Sequence, residues 1–127
     1  MVIDPHRQPS QQDRSAVLTK AVLRAAEELG VSAKALSAII GVSEATLSRM
    51  KKGSFVLEAD SKPFELAVLF VRLFRSLDAI VGGDADVARA WLKNRNEVFV
   101  GQPVEKIRTI TGLIDVIAYL DARRALV

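Results

Sequence analysis

Cysteine is absent from the 127 residues, so neither a disulfide nor thiolate chemistry has a place in this chain, which suits an intracellular site. Histidine is almost as scarce. His6 is alone, in a polar N-terminal stretch broken by Pro5 and Pro9, where no rigid shell can hold it as a base or a ligand. No metal site is therefore expected. A phosphate cradle is missing too: Gly82-Gly83 lacks the following lysine and serine or threonine, and reads as a hinge. Asp84 and Asp86 are near neighbours, but acidic residues at a helix start answer to capping and to the helix dipole. No apolar run approaches the length of a membrane span, and residues 1–14 lack the apolar core of a secretory signal. These absences argue against an enzyme and against any cofactor. They lead us to expect a soluble cytoplasmic protein, without membrane contact, whose residues 1–14 form a disordered leader.

What the chain has in plenty is apolar residues, 50% of the total, spaced as in helices. From Ala33 to Lys52 they fit a helix-turn-helix: Leu36, Ile40, Val42, Leu47 and Met50 fill the apolar positions and Gly41 falls in the turn. Ser37 is small where two helices approach most closely. Two short helices cross steeply only when the turn residue tolerates a left-handed backbone and the facing side chain leaves room. Ser32 and Ser43 each precede a periodic run and suit N-caps, and Gly53 stops the second helix. Residues 43–52 are then a recognition helix. Ser43, Thr46 and Ser48 can reach phosphates or base edges, Arg49 can pair with a guanine edge, and Lys34, Lys51 and Lys52 can neutralise phosphates. Four basic residues against Glu44 give this segment the same +3 excess as the whole chain, so basic charge is focused there.

The rest of the sequence predicts an all-α protein, with residues 15–60 as a helix-turn-helix module packed on a second helical module over 61–127. A helix over 15–29 carries the stripe Val17, Leu18, Ala21, Val22, Ala25 and Leu29 and ends at Gly30. Phe55, Val56 and Leu57 make the connector too apolar for a free linker. A long helix follows over 62–80, capped by Asp60 or Ser61, with a narrow polar strip of Glu65, Arg72, Arg75, Ser76 and Asp78. A helix apolar on most sides is covered on most sides. Either a second subunit covers it, through Phe64, Val68, Phe70, Val71, Phe74 and Leu77, or its own neighbours do. Beyond Gly82-Gly83 come a short helix with Trp91 as a core anchor, a loop over 94–102, and a helical turn opened by Pro103. The final helix starts at Thr109 or Thr111 and is expected to bury Ile110, Leu113, Ile114, Ile117 and Leu120, with Gly112, Val116, Tyr119 and Arg123 on a second face.

Trp91-Leu92, Asn96, Phe99, Gly101, Pro103, Gly112-Leu113, Val116 and Tyr119-Leu120-Asp121, with Lys62-Pro63-Phe64-Glu65-Leu66 and the helix-turn-helix before them, resemble the Xre/MbcA/ParS antitoxins from about residue 15 to 127. Asn94-Arg95-Asn96-Glu97 departs from the pattern, since many relatives place a proline beside asparagine there. The resemblance implies a type II antitoxin partnered with a RES-domain toxin that degrades NAD or uses it to ADP-ribosylate a target. It further implies an autorepressor that binds its own promoter DNA and acts as a homodimer within a toxin–antitoxin assembly. The blocking element would be Tyr119, Asp121, Arg123, Arg124, Leu126 and Val127, at the C-terminal end. Without a toxin, the same sequence would suit a free-standing dimeric repressor.

Overall fold

Seven helices follow one another in the computed structural model, which describes residue 8 and residues 10–126: α1 (Gln11–Leu29), α2 (Ala33–Ile40), α3 (Glu44–Lys52), α4 (Lys62–Ile80), α5 (Ala85–Lys93), α6 (Pro103–Lys106) and α7 (Ile110–Arg124). Among the described residues there is no strand, only a single bridge between Asn96 and Gly101. The all-α expectation holds. His6 and Val127 lie outside the described residues.

The first helix begins four residues before the expected start. The Ser10 hydroxyl accepts from the Asp13 amide at 3.1 Å while the Asp13 carboxylate accepts from the Ser10 amide at 3.2 Å, a reciprocal capping box that draws residues 11–14 out of the expected leader. Its buried face also differs: Ser15, Thr19, Val22, Ala25, Ala26 and Leu29 point inward, and Val17 is 68% exposed. Thr19 earns its place by its hydroxyl, which donates to the Ser15 carbonyl at 2.6 Å and accepts the Leu57 amide at 3.0 Å. This ties the connector to α1, with Leu57 buried beneath it.

Helix α4 is the axis of the molecule, packed by α1, α2, α5 and α7. Of the two covers open to it, its own neighbours supply most. Phe64, Phe70, Val71 and Leu77 are buried within the single chain and Phe74 is half-buried, leaving Val68 as the exposed apolar residue among the six expected at a dimer face. Ser76, expected in the polar strip, is fully buried, and its hydroxyl donates to Asp121 Oδ1 at 2.7 Å.

On α7 the expected faces are rotated. Gly112 and Val116 are buried with Leu113, Ile117 and Leu120, whereas Ile110 and Ile114 are 58% and 45% exposed. The reason is the close approach of α6: a Cβ built on Gly112 would stand 1.9 Å from the Lys106 carbonyl oxygen, so only glycine lets the two backbones meet. That contact fixes which side of α7 faces inward. At the opposite edge Arg89 of α5 donates from Nε to the Glu28 carbonyl at 2.9 Å, so the second module also grips the end of α1.

Candidate functional site

Helix α3 is held by its two buried residues, Leu47 and Met50, against α2 and the common core. Ser43 caps it by accepting the Thr46 amide at 3.0 Å, and Gly53 closes it in the left-handed conformation at φ 80°. The turn before it is built as expected. Gly41 takes φ 74°, and Ser37, buried, accepts the Gly41 and Val42 amides at its carbonyl, 2.9 and 3.1 Å away. Its hydroxyl donates to the Lys34 carbonyl at 2.8 Å, so the small polar side chain is satisfied within its own helix.

With Leu47 and Met50 turned inward, helical spacing turns Ala45, Ser48, Arg49 and Lys52 outward, and all four are exposed. Arg49 is braced rather than loose: Nη2 donates to Thr46 Oγ1 at 3.0 Å, and the guanidinium carbon stands 5.9 Å from the centre of the Phe55 ring. Ser43 donates to the same Thr46 oxygen at 3.0 Å. Lys51 leans the other way, lining a cleft with Ser32, Ala33 and Leu36 beside the α1–α2 turn, and Lys34 is exposed on α2. Of the seven residues expected to meet DNA, Ser43, Thr46, Ser48, Arg49 and Lys52 lie along α3 and its cap, whereas Lys51 points to the cleft beside the α1–α2 turn and Lys34 stands on α2.

The C-terminal set divides. Tyr119, half-buried, stacks on Trp91 with ring centres 6.2 Å apart and planes 14° from parallel, and meets the Phe99 ring edge-on at 5.2 Å. Arg123 lies over the Tyr119 ring and donates to its hydroxyl at 3.1 Å. Asp121 faces the other flank of α7. It accepts from Arg72 and from Ser76 of α4, and these contacts hold its carboxyl below the usual carboxylate range. The Ser76 hydrogen bond is the largest cause, opposed by burial and assisted by the hydrogen bond and charge of Arg72 and by the charge of Arg124. Asp121, which the resemblance puts in the blocking element, is also a clasp between α4 and α7. Arg124 and Leu126 are exposed, Leu126 by 85%.

Two features escaped the sequence. One is a groove between α1 and α4, floored by Val17, Ala21, Val68 and Val71 and edged by Arg72, Arg75 and Arg124. The other is the tip of the α5–α6 loop, where Val98 and Val100 are 62% and 71% exposed. Three consecutive apolar residues, Val98-Phe99-Val100, between polar neighbours were the signal available for it.

Residues 8–72 match the antitoxin Xre-like helix-turn-helix domain, and residues 76–125 match the antitoxin Xre/MbcA/ParS C-terminal toxin-binding domain. The chain belongs to the Xre/MbcA/ParS antitoxins. The first match takes in α1, α2, α3 and the first half of α4, and the second the last turn of α4 together with α5, α6 and the whole of α7. Among solved structures, the chain is similar to one from the crystal structure of the M. tuberculosis MbcT-MbcA toxin-antitoxin complex, at 21% identity and a TM-score of 0.65, over 87% of this chain and 96% of that one. That likeness is one of fold. No curated protein matched the chain. Among the described residues no helix is long and apolar enough to cross a membrane, and no group of three potential ligands could hold a metal ion.

Proposed function

We propose that this antitoxin neutralises a RES-domain, NAD-consuming toxin by covering its active-site entrance with the end of α7, and represses its own promoter through α3. It is a cytoplasmic, non-enzymatic protein in this reading. The supporting observation is the position of Arg123, Arg124 and Leu126: the two arginines are exposed on the last turn of α7, within the toxin-binding domain, and Leu126 is exposed just beyond it, all three past the last buried residue, Leu120. A planar guanidinium both fills and pairs within a site shaped for a dinucleotide's phosphates, and an exposed helix end needs little core to present it.

The test separates the two activities. Asp121 must be kept, because it clasps α4 to α7, so the truncation removes residues 123–127 only. Expressed from the native operon, full-length protein is expected to copurify with the product of the adjacent reading frame and to suppress its consumption of NAD. The truncated protein is expected to lose suppression while still binding promoter DNA. Full suppression by the truncated protein would reject the plug, and absence of any copurifying toxin would leave the free-standing repressor. For the proposed homodimer, the α1–α4 groove is an open apolar face around Val17 and Val68, the latter the one exposed residue of the six expected at the interface.

A further inference from the structure

The α5–α6 loop is a rigid, strained protrusion. Asn96 and Gly101 pair their backbones, with the Asn96 amide donating to the Gly101 carbonyl at 2.8 Å and the Gly101 amide returning to the Asn96 carbonyl at 3.3 Å. Within that closed ring the Asn96 side-chain oxygen accepts the Val98 amide at 2.9 Å. Phe99 turns inward and anchors the loop against Trp91 and Tyr119, at 6.2 and 5.2 Å between ring centres. Val98 and Val100, on either side of it in the turn that closes the ring, are left outward in solvent. Val100 does so at φ 54°, a left-handed backbone that a β-branched residue rarely adopts.

Glycine would relieve that strain, and a polar residue would suit the exposure; the sequence has valine at both tip positions, the second one strained. Strain of this kind persists where the surrounding structure over-determines it, and it concentrates at binding elements. We infer that Val98 and Val100 form a preformed apolar knob that docks into a concave aliphatic or aromatic pocket on the toxin, as a second contact beside the end of α7. This rests on the toxin reading of residues 76–125. The occupant follows from continuity: Phe99 packs on Tyr119, which carries Arg123, so the knob and the proposed plug are joined by one aromatic cluster within the toxin-binding domain. A protrusion already held in its bound shape binds with little ordering cost.

Binding of full-length Val98→Asp and Val100→Gly to the toxin copurified from the native operon tests the knob, alongside thermal melts of each free variant. Each substitution is expected to weaken binding by about ten-fold or more. Val98→Asp should melt with the wild type, and Val100→Gly at the same temperature or higher, since it removes a side chain from a left-handed position. Lower affinity without lower stability is a result that a merely structural loop would not give. Affinities within about three-fold of wild type for both variants would overturn the knob while leaving the toxin reading in place. If the wild type itself binds no toxin, the reading and the knob fall together. Promoter affinity is expected to be unchanged in both variants, and a matching loss there would assign the loop to DNA instead.

Discussion

Asp121 shows how one side chain changes meaning between sequence and structure. Near the C-terminus, among arginines, it reads as part of a binding surface; in the fold, Ser76 and Arg72 draw it onto α4. Its folded-state pKa is depressed, so the stability it contributes is present above the ordinary aspartate range and is lost as pH falls through the folded value. Asp121→Asn is therefore expected to lower stability by about 1 kcal/mol near neutrality, a figure already reduced for its partial exposure to solvent. The gap between the two melting temperatures should close as pH falls below about 4. A gap that stays constant down to pH of about 2.5 would remove the ionised clasp.

At the scale of elements, α3 is the clearest case of sequence legibility. Its caps, its two inward residues and its glycine stop are all local features, and each stands where the spacing put it. The recognition role remains a proposal that titration decides. Lys52→Ala is expected to weaken binding to promoter and to random duplex alike, and to reduce the salt dependence by about one unit of slope. Arg49→Ala is expected to reduce discrimination between the two duplexes by about 1–3 kcal/mol, because Thr46 and Phe55 hold its guanidinium in a fixed orientation. Unchanged binding by both variants would remove α3 from the DNA. On α7, by contrast, periodicity places Leu113, Ile117 and Leu120 in the core but also Ile110 and Ile114, which are exposed. Apolar residues surround much of the helix, so periodicity left two faces eligible, and the close passage of α6 at Gly112 chose between them.

Across the whole molecule, the central helix separates folding from association. Phe70 is fully enclosed by its own chain, so Phe70→Asp places a carboxylate in the core and is expected to abolish helical circular dichroism rather than to divide a dimer. Val68→Asp touches the open groove and is expected to preserve the fold. If two copies meet through that groove, Val68→Asp should yield a monomer by light scattering. A wild-type protein that stays monomeric at high concentration would exclude the groove as a dimer face.

The helices, most of their caps and the shape of the helix-turn-helix were legible before any tertiary contact, because hydrogen-bonded caps, glycine turns and 3.6-residue spacing act over a few neighbouring residues. The family likewise rested on short apolar and aromatic spacings from Phe64 to Tyr119. The early start of α1 was legible in principle, since Ser10 and Asp13 carry the spacing of a capping box; the prolines around them outweighed it. Which apolar residues were spent on the core could be decided only by tertiary structure. Phe70 and Val68 lie two positions apart on one helix and are both apolar, yet the fold encloses the first completely and leaves the second 45% exposed. The same holds for Phe99 and its flanking valines, where the aromatic cluster took the ring inward and left two aliphatic side chains outside. Burial is set by what packs across from a residue, and that partner is distant in the chain.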